Sequence, residues 1–113
     1  MITIHTEQEE EFYIIKVDGE VDASSSIYLD NKIGEVIKSH NKILVDCNDL
    51  KYISSAGLGV FMSYIHEMDE KNIKMILFGL SDKVRNVFQI LGLDQLIKMV
   101  ETKEDAKKLV NAV

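Results

Sequence analysis

Proline is absent from this chain, cysteine occurs once, and no apolar run comes near the roughly 20 residues a membrane helix needs. Each absence removes a class of explanation. Without proline, a low-complexity stretch or an internal repeat, nothing marks a linker, and residues 1–113 are expected to form a single domain. Cys47 alone cannot close an intrachain disulfide. It has neither zinc-site nor Cys-x-x-Cys spacing, so it reads as a small buried hydrophobe. Basic residues are few, thirteen against nineteen acidic, for a net charge of -6. That balance argues against nucleic acid and against an anionic membrane, since both are bound mainly through cationic groups. The first six residues lack the basic and apolar regions of a signal peptide, so the expected compartment is the cytoplasm.

What is present is an ordinary globular composition, 46% hydrophobic. A chain of this length buries about two thirds of its unfolded surface. Ile2 to Thr6 alternates as an edge strand does, Gln8 to Glu11 is a charged turn, and Phe12 to Val17 is apolar enough for a strand covered on both faces. Ser24 to Ser26 offer N-caps for a helix with Leu29, Ile33, Val36 and Ile37 on one face. A strand over Lys42 to Cys47 follows. Helix two then carries Leu58, Phe61, Ile65 and Met68, with Val60 and Tyr64 widening the stripe. Lys74 to Phe78 is a buried strand, and Ser81 caps a helix with Val84, Val87, Phe88 and Leu91 inward, ended by Gly92. Leu96 to Val100 is a last short strand. Thr102 starts helix four, with Ala106, Leu109, Val110 and Val113 apolar. Alternating helices and strands imply parallel strands with helical crossovers, behind an opening hairpin. The expected fold is α/β, with four or five strands and four helices.

Little in this order carries chemistry. No dinucleotide fingerprint or phosphate loop occurs. Asp18, Asp22, Asp46 and Asp49 gather near strand ends but lack metal-site spacing, and read as loop carboxylates. His5, His40 and His66 read as surface or packing residues. Two adjacent serines are different. Ser54 and Ser55 arrive where a strand and short connection meet helix two, with Gly57 and Gly59 directly behind. They are not a hydrolase elbow, because Ile53 stands where Ser55 would need a glycine. Ser54 is placed to cap the helix and Ser55 to present its hydroxyl one residue later. Phosphate is tolerated at a helix start, where free amides and the helix dipole favour negative charge. Each glycine costs roughly 1 kcal/mol against alanine, which points to close helix-to-strand packing or to the approach of a partner. Met62 and Met68 read as core or rim, though an exposed Met62 would suit a protein-binding surface.

The run Leu44-Val45-Asp46, followed by Leu50-Lys51-Tyr52-Ile53-Ser54-Ser55-Ala56-Gly57-Leu58-Gly59-Val60, resembles the signature of STAS domains, and within them that of bacterial anti-sigma factor antagonists. Gly19-Glu20-Val21-Asp22 and the stretch from Phe78 to Leu93 extend the resemblance over essentially the whole chain. It implies a four- or five-stranded sheet with helices on one main face, and a switch protein rather than an enzyme, with no cofactor or metal. Such proteins bind an anti-sigma factor that is usually also a serine kinase, and so release a sigma factor. Phosphorylation of a serine at the start of helix two ends the binding, and a metal-dependent serine phosphatase restores it. By position the acceptor is Ser55. The preceding family position is commonly Asp; here it is Ser54, the second candidate. Asp22, Asn48, Ser54, Ala56, Gly57, Leu58 and Met62 are the expected neighbours in the partner-binding surface. Two rivals fit the same fold: an unphosphorylated scaffold subunit of a signalling assembly, and a sensor holding a nucleotide or small-ligand phosphate at the same helix start.

Overall fold

Two strands, β1 (Ile2–Glu9) and β2 (Phe12–Val21), form an antiparallel hairpin in the computed structural model, which describes residues 1–112. Both run longer than their alternation suggests. Gln8 and Glu9 pair with Tyr13 and Phe12, leaving Glu10 and Glu11 as the turn, with Glu10 at φ 57°. At its other end β2 continues to Val21 because a further strand lies beside it.

That further strand is β4 (Leu50–Ile53), which makes six strands in place of the expected four or five. Its sequence reads as a connection because four residues with Lys51 and Tyr52 in the middle are too short to show a period. The order is β1-β2-β3-β5-β6, where β3 is Lys42–Asp46, β5 Lys74–Phe78 and β6 Lys98–Val100; β4 pairs with β2. Every pairing except β1 with β2 is parallel. β3 and β4 therefore act as one broken strand along β2, first over Tyr13 to Lys16 and then over Gly19 to Val21.

Strand parity sorts the core into two layers. Ile15, Val17, Ile43, Val45 and Leu77 meet Leu29 and Ile33 of α1 (Ser26–Val36), Leu58 and Phe61 of α2 (Ser55–Glu70), and Val84 and Phe88 of α3 (Asp82–Ile90). On the opposite face Phe12, Ile14, Leu44, Ile76 and Phe78 pack against Ala106 and Val110 of α4 (Lys103–Asn111). The helices thus cover both faces rather than one, three against one. This is why β2, β3 and β5 read as continuous apolar runs. Val113, expected on the apolar face of α4, lies outside the described residues.

Ion pairs help hold α4 to the hairpin: Glu9 accepts from Lys103 at 3.0 Å and also pairs with Lys107, and Glu10 accepts from Lys107 at 2.8 Å. Ser81 and Thr102 cap α3 and α4, accepting from the amides of Val84 and Asp105. Gly92, at φ 73°, ends the α3 region in the left-handed conformation expected of a C′ residue.

Candidate functional site

The site is built where β4 hands the chain to α2. Ser54 donates its backbone N–H to the Val21 carbonyl at 2.8 Å, fixing it beside the end of β2. With φ −90° and ψ 174° it is the extended N-cap, and its hydroxyl accepts a long hydrogen bond from the Gly57 amide at 3.4 Å. Ser55 is the first helical residue and is exposed, and among the described residues its hydroxyl makes no hydrogen bond. The two serines divide the work: one oxygen serves the helix, the other faces solvent.

Asp22 follows Val21 and so lies next to the Ser54 end of the parallel strand pair. One of its carboxylate oxygens accepts from the Ser24 hydroxyl at 2.8 Å and from the Ser24 and Ser25 amides at 3.0 Å. Ser25 occupies the N-cap of α1, but its hydroxyl accepts from the Asp22 amide at 2.9 Å and does not cap the helix. The Ser24 hydroxyl first, then the Ser25 groups, hold the Asp22 carboxyl down at about 2. A depressed pKa stabilises the fold above the ordinary carboxylate range, and that contribution disappears as pH falls through about 2. Asp22→Asn is therefore expected to be less stable than wild type at pH 7, with the gap closing between about pH 4 and 2. Denaturant midpoints across that range test this.

The remaining expected residues separate. Ala56 is half-buried, while Gly57 is buried and Leu58 is only 1% exposed, so neither of the latter two presents a side chain to a partner. A Cβ on Gly57 would stand 2.7 Å from both Ile53 and Val21, which accounts for this glycine by helix-to-strand packing. At Gly59 it would meet nothing within 4 Å. Opposite outcomes follow for the same substitution. Gly59→Ala is expected to stabilise the protein by about 1 kcal/mol through helix propensity, and Gly57→Ala to cost about 1–2 kcal/mol through overpacking, both read by denaturant unfolding.

Asn48 sits in the loop between β3 and β4, its amide donating to Asp46 at 2.8 Å and its side chain filling the space beside Gly79. The four residues of β4 separate it from Ser54 by roughly 13 Å of strand. It is not a neighbour of the serines.

Met62 is 48% exposed, so its packing reading gives way to the surface one, whereas Met68 is buried. Ser55, Gly59, Met62, Ser63 and His66 form an exposed stripe at helical spacing on α2. Ile27, Tyr28 and Tyr52 are also exposed and were not anticipated. Their signal was present for the first two, which are large and apolar but lie off the Leu29, Ile33, Val36 stripe.

Several other titratable groups are engaged elsewhere. His40 stacks on Tyr13 at 3.9 Å, His66 lies 3.2 Å from Glu70, and Asp49 pairs with Lys16 at 3.1 Å. Burial, and secondarily Asp46, pushes the Cys47 thiol far up. Among the described residues no three His, Cys, Asp or Glu side chains are grouped as a metal-holding set, and no helix is long and apolar enough to cross a membrane.

Comparison with known proteins places this geometry. Residues 3–106 match the model of the STAS domain. An anti-sigma-B factor antagonist from Staphylococcus aureus is 27% identical over 104 residues, 91% of this chain and 96% of its own length. One from Listeria monocytogenes is 31% identical over 90 residues, 75% of each chain. Among solved structures, an anti-sigma factor antagonist from Mycobacterium paratuberculosis superposes with a TM-score of 0.86 at 22% identity, over 99% of this chain and 96% of that one. The Bacillus cell fate determinant SpoIIAA in its phosphorylated form superposes with a TM-score of 0.72 at 26% identity, over 96% of this chain and all of that one.

Proposed function

Because the chain belongs to the STAS domain family, with anti-sigma factor antagonists as its relatives, we propose that it binds an anti-sigma factor that is also a serine kinase. In this reading the unphosphorylated protein holds the kinase and a sigma factor is released. Phosphate on Ser55 ends the complex, and a metal-dependent serine phosphatase in the cytoplasm reverses the modification. The chain acts as a substrate and switch, not as an enzyme.

The observation that carries the reading is the free, exposed Ser55 hydroxyl at the first position of α2, next to a serine that already caps the helix. A relative of the same fold exists in a phosphorylated form, which supports a modification of this kind. Phosphoserine adds about -1.5 to -2 charges at pH 7, and the helix start accommodates them. Ser54, bonded to Gly57 and half-buried, is the poorer acceptor.

Site-resolved mass spectrometry of protein purified from its native cells, before and after phosphatase treatment, tests this. Phosphate on Ser55 is expected. Phosphate on Ser54 would move the switch by one residue, and none under any growth or stress condition would remove it.

A further inference from the structure

β1 is an edge of the sheet, and its outer side is open along eight residues. Proteins guard such edges with charged side chains, lysine above all, and with proline, bulges or very short strands. This strand has no proline or lysine, its charged residues Glu7 and Glu9 sit at one end, and its register with β2 is unbroken from Ile2 to Glu9. The direction of its backbone groups follows from the ladder. Glu20 donates to the Met1 carbonyl at 3.2 Å, so Met1 and Glu20 are a hydrogen-bonded pair. Alternation then turns Thr3, His5, Glu7 and Glu9 toward β2, and leaves the N–H and C=O of Ile2, Ile4, Thr6 and Gln8 facing outward.

We propose that this edge pairs with the β1 edge of a second copy, antiparallel about a two-fold axis at His5. A two-fold axis requires antiparallel strands. Only the register setting Ile2 against Gln8, and Ile4 against Thr6, of the other copy lets all four outward N–H and all four outward C=O groups of each strand pair; shifting it by two residues either way loses one residue's pair per strand. Charge agrees. Glu7 falls opposite Thr3 of the second copy, so the acidic end of each strand lies against an end that carries no acidic side chain. Ile2 and Ile4, half-buried at the rim of the main core, gain cover. A single strand pair is small beside the roughly 1,200 Å² of stable complexes, so the dimer is concentration-dependent.

Sedimentation equilibrium over a wide concentration range tests the pairing, with circular dichroism confirming that each variant is folded. Thr3→Lys is expected to tighten the dimer about fivefold and Thr3→Glu to loosen it similarly, each acting twice against Glu7. Because Asp18 opposes Thr3 within one copy, the double variant Thr3→Glu with Glu7→Lys is the control, and it should restore or exceed wild-type association. Thr6→Pro, which removes an outward amide, should abolish dimerisation. A monomer at every concentration would overturn the proposal and leave the edge to a strand from another protein. Equal association constants for the charge variants would overturn it too.

Discussion

Ser55→Asp is expected to weaken binding of the anti-sigma factor by more than a hundredfold while leaving the unfolding transition nearly where it is. The two effects separate because they depend on different surroundings of one side chain. In the free protein Ser55 is exposed at the first position of α2, so a carboxylate there stays hydrated and gains up to about 1 kcal/mol from the helix dipole. In the complex the same group must be desolvated under the partner or must displace it. A loss of roughly 3 kcal/mol corresponds to the hundredfold. Ser55→Ala makes the complementary case: it is expected to keep binding, to remove the proposed acceptor and to leave the complex permanently engaged. Ser54→Ala should behave differently, costing about 1 kcal/mol of stability by loss of the N-cap with little direct effect on binding. Calorimetric titration beside thermal unfolding reads all three. If Ser55→Asp bound as tightly as wild type, the site would not lie in the interface, and the switch would fail whatever the phosphate map shows.

How much of this was visible before the fold depends on the kind of signal each residue gives. The order of strands and helices was legible because buried parallel strands are short apolar runs and helices carry stripes; Leu29, Ile33 and Val36, or Val84 and Phe88, declare their face by spacing alone. The division of labour between Ser54 and Ser55 was legible because N-caps precede apolar stripes. β4 was not, since its identity as a strand comes from β2 alongside it and from nothing in Leu50–Ile53 themselves. The placement of α4 on the far face was not legible either: Ala106 and Val110 say that a helix has an inner face, not which side of the sheet it meets. For the candidate surface, proximity in sequence to Ser55 is a weak guide to proximity in space: one helical turn carries Leu58 into the core, and one short strand separates Asn48, which packs beside Gly79. Met62, two turns from Ser55, stays on its side of the helix.

The second large effect concerns what holds α2 in place. Phe88 is fully buried on α3, and its ring meets that of Phe61 on α2 at 6.0 Å with a 56° tilt, inside the offset geometry aromatic pairs favour. Phe61 in turn lies one turn beyond Leu58, so this contact fixes α2 against the rest of the core from the α3 side. Phe88→Ala removes the ring from a layer packed between the sheet and the helices α1, α2 and α3, where the neighbours close the space only in part. The expected cost is about 3–5 kcal/mol, a lowering of Tm by roughly 12–20 °C, out of a total stability for a domain of this size of about 5–15 kcal/mol. Ile90 is the matched control. It lies on the same helix, is 73% exposed, and as alanine should change stability by no more than about 0.5 kcal/mol. Thermal and denaturant unfolding of the pair measure the difference. A Phe88→Ala cost near 1 kcal/mol would mean that Phe61 relaxes into the vacated space, and then the start of α2, with Ser55 on it, would be a movable element of the site instead of a fixed platform.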